Sequence, residues 1–218
     1  MTEITRAELQ RWFEAIASVM AAHADELCAL DAHLGDGDLG LTMKRGFGAI
    51  PGFLASIEET DIGKTLMKAG MKMAAVAPST MGTLMASGIM EGGKALVGCA
   101  CMRAGDYCKY LQGFAEGIAK RGRCKRGDCT VLDAIGTAAD ALKEALAKRP
   151  DMCLEDAAIL ALEAAGNGVE ATRHMTPKFG KAAVLKAASA GEVDQGALAG
   201  MYMLEGSCNF ICAHIGIS

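Results

Sequence analysis

Apolar residues recur along this chain with a helical period and not an alternating one. Leu9, Trp12, Phe13, Ile16, Val19 and Met20 fall three or four apart behind Thr5 and Glu8, a spacing that predicts a capping box and an amphipathic helix. Leu27 and Leu30 share one face of a second helix with Asp31 in its last turn. A third is expected from Gly40 to Ile50 with Asp38 as its N-cap, stopped by Pro51 and followed by a small segment to Glu59. Asp61 stands where it would cap a helix whose Ile62, Leu66, Met67, Gly70, Met71 and Met73 form an apolar stripe ending before Pro78. Helices are also predicted over Leu84 to Val97, over Tyr107 to Ala119, and from Leu132 through Leu146 to a stop at Pro150. Leu154 to His174, with Ile159, Leu162 and Val169 packed, and a last helix capped by Asp194 and running through Leu204, Phe210 and Ile211 complete the series. Eight or nine helices and no convincing strand imply an all-α barrel or bundle of about eight antiparallel helices, folded as one domain over 1–218.

Composition narrows the function classes. A net charge of −4 gives no footing for nucleic-acid binding. The longest uncharged run, Met73 to Met90, is interrupted by Pro78, Ser79 and Thr80, so it reads as a buried helix-loop-helix and not a membrane span. Nine cysteines with no C-x-x-C pair and no histidine at zinc-ligand spacing read as reduced thiols. The start, Met1-Thr-Glu-Ile-Thr-Arg6, has no basic segment followed by an apolar one, so a cytoplasmic location is expected.

The chemistry concentrates between Leu30 and Gly40, where three carboxylates and three glycines share eleven residues. Glycines let the backbone bend sharply or lie against a ligand, and aspartates supply hard oxygen ligands. Asp31 at a helix end, with Asp36 and Asp38 two apart in the turn that follows, could converge; three convergent aspartates suit one or two Mg²⁺ ions bridging to the phosphates of a nucleotide. Gly35-Asp-Gly37-Asp-Leu-Gly40 matches G-x-G-x-x-G literally, but no strand of β-branched residues precedes it. An EF-hand loop beginning at Asp31 would need Gly and Glu where Asp36 and Thr42 stand. The plain alternative is a solvated Asp-Gly turn.

Two further stretches bear on the same chemistry. Pro78-Ser79-Thr80-Met81-Gly82-Thr83 opens an apolar helix with hydroxyls and free backbone N–H groups, which suits either a phosphate or an ordinary N-cap. The stretch Lys120 to Asp128 packs five basic residues into its first seven positions, as a solvated loop or as a rim that steers phosphates or an acidic partner. His23 and His214 fall on predicted helices and read as structural, and His33 lies within the acidic turn.

The pattern Leu-Asp-x-x-Leu-Gly-Asp-Gly-Asp-x-Gly-x-x-Met-x-Arg-Gly-Phe, as it stands from Leu30 to Phe47, resembles the nucleotide-binding signature of the DhaL family, the L subunits of dihydroxyacetone kinases. Gly82-Thr83, Arg121-Gly122, Gly127-Asp128 with Thr130 to Asp133, and Asp194-Gln195-Gly196-Ala197 extend the resemblance over nearly the whole chain. It departs in four places: Ala77 to Thr80 differ from the usual Ala-Ser-Gly-Pro order, Leu39 stands where the family usually has His, Lys181 where it has Arg, and Gln195 where it has Pro.

The resemblance implies a barrel of eight antiparallel helices with the nucleotide in the loops at one end. Asp31, Asp36 and Asp38 would hold Mg²⁺, two ions being expected. Leu39, Gly40, Leu41, Thr42, Ser79, Thr80, Gly82, Thr83, Gly122, Val131, Lys181, Asp194 and Gly196 would contact ADP or ATP, with Gly122 and Val131 on the adenine side. It further implies a kinase subunit of glycerol and glycerone metabolism that delivers a phosphoryl group to a small ketose held on a separate K subunit. Linkage to the phosphotransferase system is expected, with bound ADP rephosphorylated by a histidine phosphocarrier, the M subunit, and assembly as a homodimer or heteromer. The alternative is an ADP-sensing module that docks on a transcription regulator without catalysing ketose phosphorylation.

Overall fold

The computed structural model describes residues 2–184 and 191–213. It is all-α apart from one two-residue antiparallel pairing of β1 (Ile4–Thr5) with β2 (Cys101–Met102), which the apolar pattern does not announce. The helices are α1 (Leu9–Ala22), α2 (Ala24–Leu34), α3 (Leu39–Gly48), α4 (Ile50–Ala55), α5 (Ile62–Val76), α6 (Thr80–Lys94), α7 (Ala104–Gly122), α8 (Val131–Lys148), α9 (Leu154–Thr172) and α10 (Gln195–Cys212). Helices α5 to α10 each pack on the next, and α10 returns against α1, which with α3 and α4 leads back to α5. The ring therefore closes. Most connections are short, so neighbours alternate in direction and the turns sort to two ends.

Several boundaries differ from those expected. Pro51 lies in the first turn of α4, where a missing N–H costs nothing, so it starts a helix where a stop was expected. Helix α6 begins four residues earlier than the apolar run suggests, because Ser79 Oγ accepts from Gly82 N (3.0 Å) and caps it there. Thr5 and Glu8 do form the capping box, with one Glu8 carboxylate oxygen accepting from both Thr5 N and Oγ1 at 2.8 Å. Asp61 caps α5 through Lys64 N (2.8 Å) and Asp194 caps α10 through Ala197 N (2.7 Å).

The core is continuous through the ring, with Trp12, Phe13, Phe47, Tyr107, Tyr110 and Phe114 among its largest side chains. Trp12 Nε1 donates to Ser207 Oγ (2.8 Å), and the Tyr107 hydroxyl lies 3.1 Å from the same oxygen, joining α1, α7 and α10. Two expected core residues face outward: Met71 is 63% exposed and Ile159 is 42% exposed. On α9 the buried face is made instead of Ala157, Ala158, Ala161, Ala165 and Gly168, small residues that bring the backbone of α8 close. A hydropathy count favours the larger side chain, while close packing selects the smaller. Among the described residues no helix is long and apolar enough to cross a membrane. His214 lies outside the described residues.

Candidate functional site

One end of the ring holds a cavity of about 590 Å³. Its wall comes from the turns between α2 and α3, α5 and α6, α7 and α8, and α9 and α10. Helices α3, α6, α8 and α10 therefore all begin at this cavity, and four positive helix ends favour negative charge inside it.

Asp31 is buried and holds the first turn together. Its Oδ2 accepts from the backbone N–H of Asp38 (3.1 Å) and of Leu39 (3.2 Å), so it performs at a distance the capping that the sequence suggests for Asp38, whose side chain makes no cap bond. Gly35 is required beneath it, since a Cβ there would lie 2.0 Å from Asp31 Oδ1, and Gly37 takes φ +76° to reverse the chain. Asp36 and Asp38 are both exposed at the cavity, Asp36 in contact with the ammonium of Lys181. No donor reaches the Asp38 carboxylate from the described residues.

The three aspartates thus line one cavity, but their carboxylates are not drawn together. Among the described residues no group of three or more acidic, histidine or cysteine side chains is assembled as a ligand set. The donors present nevertheless fit Mg²⁺, which is usually held by one or two carboxylates with the rest of its shell from water and phosphate. Asp31 and Asp38 have lone pairs to give. The buried Oε1 of Gln195, beside Asp31, also lacks a hydrogen-bond partner among the described residues.

The wall at the start of α6 offers donors that suit an anion. Ser79 Oγ accepts from Gly82 N, which leaves its own O–H free to donate, and the N–H groups of Thr80 and Met81 have no acceptor within α6. The Thr83 hydroxyl instead turns back onto Ser79 O (2.6 Å) and Thr80 O (2.9 Å).

The third wall is the turn before α8. Asp133, 1% exposed, accepts from Gly127 N (2.6 Å) and Thr130 N (2.8 Å), and Asp128 accepts from Lys125 N (2.9 Å) and from Lys178 Nζ (2.6 Å). That last bond, with Lys178 N donating to Asp128 O, ties the segment carrying Lys181 to this turn. The Lys178 ammonium holds the Asp128 carboxyl below the usual range. Burial pushes the Cys129 thiol up to about 12, which makes it a poor nucleophile. Two of the five residues of the basic run are tied to acids: Arg126 binds Asp140 (2.8 Å), and Lys120 lies by Glu91 and Glu116.

The fourth wall is the start of α10. Thr172 Oγ1 accepts from Asp194 N (2.9 Å). Burial, with the carboxylates of Asp133 and Asp31 nearby, pushes Asp194 up to about 7 despite the hydrogen bond from Ala197 N.

Of the residues singled out by sequence, Asp31, Asp36, Asp38, Leu39, Ser79 and Thr80 line the cavity, as do Val131, Lys181, Asp194 and Gly196. The others stand behind it. Gly40 packs on the carbonyl of Ala24, Leu41 is 61% exposed on α3, Thr42 is buried, and Gly82 closes on Ala77 O. Gly122 abuts Leu84, which itself lines the cavity. Sequence reasoning passed over Met81, Leu84, Phe179 and Gln195 as lining residues. Gln195 carried a signal, a polar side chain inside the Asp-x-Gly-Ala block; the apolar three did not.

Comparison with known proteins agrees with this architecture. The model of the DAK2 domain matches residues 33–209. The chain is 26% identical over 204 residues to the ADP-binding subunit DhaL of the PEP-dependent dihydroxyacetone kinase of Escherichia coli, covering 93% of this chain and 95% of that protein. It is 27% identical over 187 residues to the ADP-binding subunit DhaL of PEP-dependent dihydroxyacetone kinase 1 of Listeria innocua, covering 86% and 87%. The dihydroxyacetone kinase of C. freundii has the same fold, with a TM-score of 0.71 at 20% identity over 96% of this chain and 36% of that one. A crystal structure of that kinase in complex with AMP-PNP and Mg²⁺ gives a TM-score of 0.68 at 21% identity, over 93% and 34%. The chain spans about a third of that longer kinase. With the match running over most of its length and the fold agreeing, the chain belongs to the DAK2 domain family.

Proposed function

We propose that this chain is the nucleotide-binding subunit of a dihydroxyacetone-type kinase. It would present the phosphoryl group of a bound adenine nucleotide to a small ketose carried on a separate K subunit. The observation that carries the reading is the pairing of two chemistries in one cavity: the carboxylates of Asp36 and Asp38, which cap no helix, and the N–H groups of Thr80 and Met81, which have no acceptor within α6. A nucleotide's polyphosphate with its divalent cations matches both sides at once, and neither a bare anion nor a bare cation does.

In this reading Ser79, Thr80 and the N–H groups opening α6 bind phosphate oxygens, while Lys181, in contact with Asp36, supplies a positive charge. Asp31, Asp36 and Asp38 hold two Mg²⁺ ions, which when bound neutralise charge on the terminal phosphates. Val131, Leu84 and Met81 offer apolar surface to the base, and Asp194 and Gly196 close the floor. Lys181 holds the charge without the bidentate fork of an arginine. Among the described residues no side chain of the cavity is poised as a nucleophile, in keeping with a reaction that needs positioning and charge neutralisation more than covalent help.

The relatives whose names specify PEP-dependent kinases are matched over nearly their full length, which supports the phosphotransferase-linked version: ADP stays bound and a histidine phosphocarrier, the M subunit, recharges it. The cytoplasm is the fitting location. A second reading, an ADP sensor that docks on a transcription regulator, is favoured by Leu39, whose apolar side chain lines the cavity at a position where an imidazole is expected from the resemblance.

Two measurements test this. Calorimetric titration should give ADP binding that Mg²⁺ strengthens, and chelation should remove most of the thermal stabilisation that Mg²⁺-ADP provides, about 2.7 kcal/mol at a hundredfold excess over Kd. Mixing the chain with a cognate K subunit, the phosphocarrier and dihydroxyacetone should yield phosphorylated ketose. Tight ADP binding without transfer supports the sensor, and no Mg²⁺-dependent nucleotide binding overturns both.

A further inference from the structure

We propose that Gln195 is a cation-responsive ligand residue, whose side-chain oxygen joins Asp31 in holding a divalent cation of the nucleotide complex. The inference rests on the nucleotide reading above and concerns a residue for which that reading has no task.

Gln195 opens α10 and lines the cavity. Its Nε2 lies 3.4 Å from Asp31 Oδ1, and its Oε1 is shut off from solvent with no hydrogen-bond partner among the described residues. A buried acceptor without a donor is costly, and proteins seldom keep one without reason. Asp31 supplies the reason for this orientation. Facing a bare carboxylate the amide must present its nitrogen, since its oxygen would be repelled, and that choice strands the oxygen.

A cation at Asp31 reverses the preference. Two oxygens that share one octahedral Mg²⁺ at about 2.1 Å sit about 3 Å apart, near the separation the amide nitrogen now keeps from Asp31. The terminal torsion of a glutamine is soft and nearly two-fold, so nitrogen and oxygen exchange places without moving the backbone. The stranded oxygen becomes a ligand. It is also neutral, so it adds coordination beside Asp31, Asp36, Asp38 and Asp194 without adding repulsion.

The position permits a clean test. Gln195 is the first residue of α10, where proline is well tolerated, so Gln195→Pro removes the amide and keeps the helix start; Gln195→Leu removes it and keeps the bulk. Titration of the full-length chain with ADP, with saturating Mg²⁺ and then with chelator, should show both variants binding Mg²⁺-ADP about tenfold more weakly than wild type, with metal-free ADP unchanged. The chain has only three glutamines, Gln10, Gln112 and Gln195, so side-chain amide spectra of ¹⁵N-glutamine-labelled protein give a second readout. The Gln195 pair should shift when Mg²⁺ is added to the ADP-bound chain, while Gln10 and Gln112 stay. Variants with the wild-type dependence on Mg²⁺, or a Gln195 amide that does not move, overturn this inference and leave the nucleotide reading standing. A wild-type chain that binds no Mg²⁺-ADP overturns both.

Discussion

The two ends of the ring use the same capping chemistry and differ in what is left over. Away from the cavity, acids at the starts of α1, α5 and α7 spend themselves on backbone N–H groups: Glu8 on Thr5, Asp61 on Lys64 and Gly98, Asp106 on Arg103. Ion pairs occupy further acids there, Glu3 with Arg103 and Glu59 with Lys68. At the cavity, α3, α6, α8 and α10 are capped just as fully, by Asp31, Ser79, Thr130 with Asp133, and Asp194. There, however, acids remain that cap nothing. Among the described residues Asp38 has no donor and Asp36 has one exposed lysine. Charge beyond the needs of folding is what singles out this end in the proposed reading, and an aspartate beside glycine is not enough to do so.

The largest test breaks the simple form of that contrast, because one acid at the cavity end belongs wholly to the fold. Asp133 holds the turn before α8 through two short bonds from backbone N–H groups and is almost fully buried. Asp133→Ala leaves both donors unsatisfied and should cost about 3 kcal/mol. In a chain of this size that is a fall in Tm of about 6–12 °C, read by thermal melts followed by circular dichroism. A melting point within a degree or two of wild type would mean that the turn does not depend on it.

Next comes the far end. Asp61→Ala removes the cap of α5 and the bond from Gly98 N (2.7 Å) that ties two loops together, for an expected loss of about 2 kcal/mol in chemical denaturation. Affinity for Mg²⁺-ADP should not change. A weakened affinity would show that the ends are coupled and that the separation drawn above is too sharp.

Asp36→Asn should give the opposite profile. Its contact with Lys181 joins two exposed side chains, 65% and 59% accessible, so stability should stay within about 0.5 kcal/mol. Affinity for Mg²⁺-ADP should fall several-fold, about 1 kcal/mol, as a ligand charge is lost. Unchanged affinity would remove Asp36 from the site.

Periodicity and caps made most of the fold legible in the sequence. Thr5 with Glu8, Asp61 and Asp194 each marked a helix start that the structure keeps, because a cap is a local device whose partners lie within three residues. What escaped was long-range. That Asp31 reaches across seven and eight residues to cap α3 depends on the turn at Gly35 and Gly37, and that Ile159 faces outward depends on how closely α8 approaches α9. The acidic turn itself was plain from composition. Its partners, Met81 and Leu84 from α6 and Phe179 from beyond α9, reach it only through the closure of the ring, which no local pattern encodes.

The smallest effect concerns pH and separates the ends once more. At the far end Glu59 accepts from Lys68 Nζ (2.9 Å) and from the N–H groups of Asp61 and Thr60, and these bonds, that from Lys68 foremost, hold its carboxyl at about 2. Its ordinary value in the unfolded chain is near 4.5. The folded form therefore binds the proton less readily, so the stabilisation is present in full above about pH 4.5 and drains away as pH falls towards 2. Glu59→Gln abolishes this dependence without emptying the position. Denaturant melts at pH 7 and pH 3 should show wild type more stable than the variant at pH 7 and the gap narrowing at pH 3, with nucleotide affinity at neutral pH the same for both. A gap that is constant with pH would mean that the carboxylate contributes by shape alone, and the far end would then owe less to charge than its ion pairs suggest.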